Sequence, residues 1–365
     1  MKKIAFVINE FNSLYDFRKE LVQSLIEKNY EIHIISPKSG RYDYFEKLGC
    51  NLHFVDLQRK GKSVFNDLKY RSQIKKNLKI IKPDIVLSYS MKPNLHTGKA
   101  CRKYHIPHIA TVTGLGMAFQ INKIVSFAIK ALLRNSLKKT KVVFCQNEND
   151  AEFLKKNNIA KNRIEIIYGS GVNLDQHKYV QYTSDRSFSF LYAGRIAKNK
   201  GICELLEAFD KFSRGNKNAE LTLAGHIDNT DLETLLNDYC KKNLNIKYIG
   251  FSDKVDELIY KSSCVIVPSY SEGMSNILQE SLACGTPILA SNIPGCKEIC
   301  IDDVTGFLFK IKDVSSLLEA LRKFAKLTQE ERIEMSANGR KHVEKYFNRK
   351  IITNSYETAI TRYIN

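Results

Sequence analysis

An α/β fold of two doubly wound parallel-sheet domains is what this sequence predicts, on three observations. Short β-branched runs alternate with stretches of helical apolar spacing. The alternation stops at a polar, glycine-bearing segment and then starts again. At 365 residues the chain exceeds what one ordinary hydrophobic core holds.

In the first half the expected strands are KIAFVI (3–8), EIHIIS (31–36), NLHFV (51–55), DIVLS (84–88), HIATV (108–112) and KVVFC (141–145). Helical segments separate them, the first marked by Phe17, Leu21, Leu25 and Ile26. Strand–helix alternation of this kind implies a parallel sheet covered on both faces. The segment 168–187 then serves as a linker. In the second half FSFLYAG (188–194), AELTLAG (219–225), NIKYIG (245–250), CVIVP (264–268) and TPILAS (286–291) are strands, with a helix beginning at GICELLEAFDKF (201–212). The expected domains are residues 1–170 and 171–345, facing each other across a cleft. A helix over 346–365 is expected to pack back on the first domain.

No uncharged apolar run approaches the roughly 20 residues that span a bilayer. The start, MKKIAFVINEFN, meets polar residues too soon for a signal peptide, so a cytoplasmic location is expected. The nine cysteines are odd in number and scattered, several within apolar strands, which fits reduced core thiols. Cys296 and Cys300 lack further ligands at zinc spacing, and no metal site is assigned. His96, His105 and His108 are assigned to packing or the surface.

The net charge of +18 is unevenly distributed: residues 1–170 carry +17 and residues 171–365 carry +1. Between Asp84 and Glu148 there is no acidic residue. A basic half of this kind is drawn to nucleic acid, anionic lipid or diphosphate.

Ligands of open parallel sheets bind beyond the carboxyl ends of strands, which directs attention to two loops of the second half. After FSFLYA comes Gly194-Arg195-Ile-Ala-Lys198-Asn-Lys200-Gly201, which leads into a helix. A glycine turn, a helix N-terminus and the full charges of Arg and Lys suit a diphosphate, although a solvated basic turn has the same composition. After CVIVPSY comes SEGMSNILQE, residues 271–280. Ser275 or Asn276 suits a helix cap, and Asn276 with Gln279 has capping-box spacing. Gly273 relieves the turn, and the N–H groups around Ser275–Ile277 form a second anion cradle. Glu272 and Glu280 are able to accept hydrogen bonds from sugar hydroxyl pairs, or else simply lie on a solvated helix start.

Taken together, Glu272-x7-Glu280 enclosing GMSN, the preceding GR…KG, and the following ACGTPILAS and D-x-x-TGFLF (302–309) resemble the large retaining glycosyltransferase family 4. The resemblance implies the GT-B arrangement of two Rossmann-like domains and catalysis without a metal ion or other cofactor. It implies that Arg195 and Lys200 contact the donor diphosphate, helped by Gly194, Met274, Ser275, Asn276 and Ile277. Glu280 would hold the nucleotide ribose, Glu272 the transferred sugar near its reacting face, and Gly250-Phe251 the base.

SLYDFR, KPN, TGLG and GSGVNL (169–174) further resemble the subgroup that builds bacterial surface glycans on undecaprenyl diphosphate, including N-acetylgalactosamine transferases. The implied donor is UDP-N-acetylgalactosamine. The implied acceptor is a lipid-linked sugar in capsule or O-antigen synthesis; the basic first domain is expected to hold it, through Arg18 near the first helix start and through the loops 89–96 and 111–119, which bring Lys92, Asn94 and a Gly114-Leu-Gly116 turn to the cleft. INKIVSFAIKALLRNSLKKTK (121–141) suits a helix resting on the anionic inner leaflet, with Ile121, Ile124, Val125, Ala128 and Leu132 on an apolar face; an ordinary core helix fits as well. The segment 59–82 has the same ambiguity.

Three other readings compete. A nucleic-acid-binding protein would explain the charge but brings no recognisable motif. A dehydrogenase is disfavoured because NEFNSLYDF follows the first strand in place of G-x-G-x-x-G. A sugar-nucleotide epimerase of the same architecture is separated from a transferase only by its need for an acceptor. Oligomeric state does not follow from the sequence.

Overall fold

The computed structural model describes residues 1–57, 64–115, 123–183 and 188–364. Its internal contacts divide the chain into two units, Met1–Ser170 with Lys350–Asn365, and Gly171–Arg349.

The first unit runs β1 (Lys3–Val7), α1 (Phe11–Glu27), β2 (Glu31–Ser36), α2 (Tyr42–Lys47), β3 (Asn51–Phe54), α3 (Val64–Ile81), β4 (Ile85–Tyr89), α4 (Met91–Lys103), β5 (His108–Val112), α5 (Lys123–Ser136), β6 (Val142–Cys145), α6 (Glu148–Lys156) and β7 (Ile164–Ile166). The sheet order is β3-β2-β1-β4-β5-β6-β7, with every neighbour parallel. Side chains of successive strand residues point to opposite faces, so each buried strand feeds two cores. Ile4 and Phe6 pack with α1 on one face, and Ala5 and Val7 with Tyr70, Ile74 and Leu78 of α3 on the other.

The second unit runs β8 (Ser189–Ala193), α7 (Ile202–Ser213), β9 (Glu220–Ala224), α8 (Thr230–Lys242), β10 (Ile246–Tyr248), α9 (Val255–Lys261), β11 (Cys264–Val267), α10 (Asn276–Ala283), β12 (Ile288–Ser291), β13 (Gly306–Phe309), α11 (Val314–Lys326) and α12 (Gln329–Tyr346). Its parallel sheet is ordered β10-β9-β8-β11-β12-β13. Phe190 of β8 anchors the core, meeting Phe209 and Phe212 of α7 and Phe324 of α11 edge-on. Helix α13 (Arg349–Tyr363) then places Ile352, Tyr356, Ala359 and Ile360 in the core of the first unit.

Each unit is thus a Rossmann-like parallel α/β domain, as the strand–helix alternation predicts. Two edge strands were not anticipated. β7 has three residues, two of them exposed, and carries no alternation to read. β13 lies in the TGFLF stretch, where Gly306 approaches its neighbour so closely that a Cβ would lie 1.9 Å from the Ile288 carbonyl oxygen.

A buried polar network at β4 and β5 can be worked out donor by donor. The Thr111 carbonyl only accepts, so it takes the Asn94 amide N–H at 2.8 Å and leaves the Asn94 Oδ1 to accept from Ser88 Oγ at 2.6 Å. Ser88 then accepts from His108 Nε2 at 2.8 Å, and His108 Nδ1 accepts from Thr140 at 2.9 Å. Burial pushes the imidazole down to about 3 from 6.5, which keeps it neutral. Because the folded-state pKa lies below the unfolded one, this contribution to stability is complete above pH 6.5 and is lost as pH falls toward 3. His33, His53, His96 and His342, also lowered chiefly by burial, act in the same direction. Urea midpoints measured across that range are expected to fall with pH; a level profile would contradict the neutral network.

In α5 the core takes Ser126 and Leu133, while Val125, Phe127 and Leu132 are 45%, 74% and 47% exposed. Ala128 is exposed with them. The expected apolar face therefore points away from the core over these positions. Ile121 lies outside the described residues. Among the described residues no helix is long and apolar enough to cross a membrane.

Candidate functional site

In a doubly wound sheet the ligand crevice opens beyond the carboxyl ends of the two strands where the order reverses. In the second unit these are β8 and β11. The loops after them are 194–201 and 268–275, the two stretches singled out in the sequence.

Backbone geometry holds these loops together. Gly201, at φ +69°, begins α7 in the left-handed region, and a Cβ there would lie 2.0 Å from the Pro268 carbonyl oxygen. The Tyr270 N–H donates to the Asn199 carbonyl at 3.0 Å. Across this seam Lys200 Nζ lies 2.5 Å from Glu272 Oε1, with side-chain exposures of only 23% and 17%. The negative potential around Glu272 also reaches Tyr192 and Cys296, whose acidic groups are pushed up first by burial and next by this carboxylate.

Arg195 reaches Asp228 at 3.1 Å and is half exposed. The β9–α8 loop brings Asp228 there through a bridge between Ile196 and Ile227. Two cations of the first loop therefore face carboxylates: Lys200 inside the seam and Arg195 at its rim. An exposed pair like the second contributes about 0–1 kcal/mol, so Arg195 is readily drawn to a stronger anion.

The second loop turns into α10 at Ser275, whose N–H donates to the Gly295 carbonyl at 2.9 Å. Met274 and Ser275 are buried, while Gly273, Asn276, Ile277 and Glu280 are half-buried. The capping box expected from Asn276 and Gln279 does not form. Ser275 is the N-cap without a side-chain bond, and the Gln279 amide donates to the Ser275 carbonyl at 3.4 Å because its side chain is fully buried. Glu280 is the fifth residue of α10, about one turn in from its positive end.

Beyond β9 and β10, the Gly225 N–H donates to the Gly250 carbonyl and the Tyr248 hydroxyl to the Gly225 carbonyl, both at 2.8 Å. Gly250 has φ +74° with open space around it. Phe251, 64% exposed, lies flat on His226 with ring centroids 4.6 Å apart and planes 6° from parallel. His226 and Asp228 were not anticipated. Nothing in their local sequence marks them, and only the pairing of β9 with its neighbours brings them to the site.

In the first unit the switch lies between β1 and β4. Two residues expected to face a ligand there hold the domain together instead. Arg18, 6% exposed, points inward from α1, donates to the Phe17 carbonyl at 2.7 Å, and lies over the Tyr89 and Tyr356 rings at 5.6 and 5.2 Å. Asn94, 1% exposed, has its side-chain oxygen and amide both committed to the His108 network. Lys92 is half-buried and pairs with Asp67 at 3.1 Å. Gly114 has φ +112° at the end of β5, and Gly116 lies outside the described residues.

Residues 3–147 match the family model described as glycosyl transferase 4-like, and residues 175–342 that of glycosyl transferases group 1. Over 352 residues the chain is 25% identical to the N,N'-diacetylbacillosaminyl-diphospho-undecaprenol alpha-1,3-N-acetylgalactosaminyltransferase of Campylobacter jejuni, covering 92% of this chain and 91% of that one. It is 24% identical over 341 residues to the Escherichia coli UDP-Gal:alpha-D-GlcNAc-diphosphoundecaprenol alpha-1,3-galactosyltransferase, covering 89% and 87%. Among solved structures, Anabaena HepE in complex with UDP superposes with a TM-score of 0.80 at 14% identity, covering 99% and 100% of the two chains. Sucrose-phosphate synthase from Thermosynechococcus elongatus gives 0.82 at 18%, covering 99% of each. At these identities the structural likeness concerns the fold.

Proposed function

The chain is a glycosyltransferase of the GT-B class, its first half belonging to the glycosyl transferase 4-like family and its second to glycosyl transferases group 1, and from that premise we propose that it transfers a sugar from a UDP-sugar to an undecaprenyl-diphosphate-linked sugar with retention of configuration. The observation that carries the reading is the Lys200–Glu272 pair in the seam between the loops after β8 and β11. An N-acetylhexosamine, first N-acetylgalactosamine, is the proposed sugar, and a capsule or O-antigen type polysaccharide the proposed product. The names of the Campylobacter and Escherichia relatives support the lipid-linked acceptor, and the Campylobacter name supports N-acetylgalactosamine, whereas the Escherichia name gives UDP-galactose as donor.

In this reading Lys200 and Arg195 hold the donor diphosphate, with Gly194 and the backbone of 274–277 beside it. Glu272 contacts the transferred sugar, Glu280 the ribose, and Gly250 with Phe251 the base. Cleavage of the glycosyl–phosphate bond places negative charge on the departing phosphate and oxocarbenium character on the sugar. The cations and the α10 N-terminus stabilise the first, and the Glu272 carboxylate faces the second. A front-face reaction lets the departing phosphate receive the acceptor proton. Titration calorimetry with UDP tests the nucleotide side: Glu280→Ala is expected to weaken UDP binding roughly tenfold, the loss of one or two charge-assisted hydrogen bonds. Unchanged affinity would remove Glu280 from the ribose.

The first unit is the proposed acceptor domain, with Lys92, Gly114 and Gly116 as the remaining candidate contacts. Its exposed Val125, Phe127 and Leu132 are flanked by Lys130, Arg134, Lys138 and Lys139, which suits peripheral attachment to the anionic inner leaflet on the cytoplasmic side. Replacing Phe127 with serine and Lys138 and Lys139 with glutamine is expected to reduce flotation with phosphatidylglycerol vesicles several-fold while UDP affinity is kept. Equal flotation would place the attachment elsewhere.

A further inference from the structure

The Lys200–Glu272 contact joins two loops that differ in sequence by about seventy positions, and something must fix their register. Tyr270 precedes Glu272 by two residues, and Glu204 lies in the first turn of α7, just past Lys200 and Gly201. The Tyr270 hydroxyl donates to Glu204 Oε1 at 2.6 Å. The second oxygen, Glu204 Oε2, is buried without a partner, so the orientation of this carboxylate rests on the tyrosine. Lys312 Nζ covers the outer face of the Tyr270 ring at 5.0 Å from its centroid. Burial and the neighbouring carboxylate both push the Tyr270 phenol up, which keeps it a proton donor. With the Tyr270 N–H on the Asn199 carbonyl, one residue of the second loop is thus pinned at both ends to the first.

We propose that Tyr270 and Glu204 are positioning residues that set Glu272 and Lys200 in register for sugar transfer. The proposal rests on the donor-site reading above. Neither side chain is assigned a contact with the donor; each acts through the loop it holds. A hydrogen bond between a phenol and a carboxylate is directional, and a displacement of about 1 Å at a reacting centre costs up to roughly 10² in rate. Losing the strap should therefore lower turnover more than nucleotide binding, because Glu272 is assigned to the sugar and not to UDP.

The test compares Tyr270→Phe, Glu204→Ala, Glu204→Gln, the Tyr270→Phe/Glu204→Ala double variant and Lys200→Ala. UDP affinity is measured by calorimetry, and kcat and KM with the UDP-sugar that supports transfer. Tyr270→Phe and Glu204→Ala are each expected to lower kcat about tenfold, with UDP affinity within about threefold. The double variant should be no worse than either single one. Glu204→Gln keeps an acceptor oxygen and should retain most of the activity. If Tyr270→Phe and Glu204→Ala turn over normally while Lys200→Ala does not, the strap is wrong and the donor site stands. If Glu204→Gln fails as badly as Glu204→Ala, charge and not the hydrogen bond matters, and the proposal is overturned. If Lys200→Ala is itself unimpaired, the donor-site reading fails first.

Discussion

Replacing Lys200 with alanine is expected to lower the rate of sugar transfer by roughly 10²–10³-fold, the usual consequence of removing one preorganised donor from a site where charge develops. Two features make Lys200 the residue to remove. Its side chain is less exposed than that of Arg195 in the same loop, 23% against 47%, so water screens it less. Its loss also leaves Glu272, 17% exposed, without its cation, so the carboxylate expected to meet the sugar loses its anchor. Arg195→Ala should be milder, because that side chain sits at the rim and already shares its charge with Asp228. The check is steady-state turnover beside a thermal melt: near-normal turnover in a folded Lys200→Ala protein would remove the pair from the chemistry.

The second large effect is one of stability. Gly201→Ala puts a non-glycine residue at φ +69°, at a conformational cost of roughly 1–2 kcal/mol. Its methyl group would also lie 2.0 Å from the Pro268 carbonyl oxygen, a contact relieved only by separating the start of α7 from the end of β11. The total destabilisation is expected to reach about 3 kcal/mol, and UDP affinity should fall with it because the same seam carries Lys200. Gly250→Ala is the natural control. Its φ of +74° carries the same conformational cost, but there is nothing within 4 Å for a methyl group to strike. Urea midpoints of the two variants separate the terms; equal losses would mean that the close approach to Pro268 contributes nothing.

Much of this was legible because sequence periodicity and loop chemistry speak to local structure. The buried strands of both sheets have apolar runs that admit few alternatives, and the GR…KG and SEGMSN stretches sit directly after strands, where parallel sheets bind ligands. What was not legible depends on packing between distant segments. Arg18 looks like a free cation near a helix start, yet its position on α1 turns it inward, onto Tyr356 from the far end of the chain. Asn94 follows a strand as a ligand contact would, but the Ser88–His108–Thr140 network claims it. His226 and Asp228 have no local signature and reach the site only through the pairing of β9 with β8 and β10. The apolar face of α5 was seen in the sequence, but which side of the helix met the core was a tertiary choice. Leu133 and Ser126 face inward and Phe127 faces out.

The central claim is tested most directly by incubating the purified protein with a panel of UDP-sugars and an undecaprenyl-diphosphate-linked sugar in mixed micelles, and reading the lipid product by mass. The account predicts that the lipid gains one sugar residue, first an N-acetylhexosamine, only when donor and lipid-linked acceptor are both present, and that the gain disappears with Lys200→Ala. Conversion of a UDP-sugar to its epimer without acceptor, with the lipid mass unchanged across the whole panel, would contradict it.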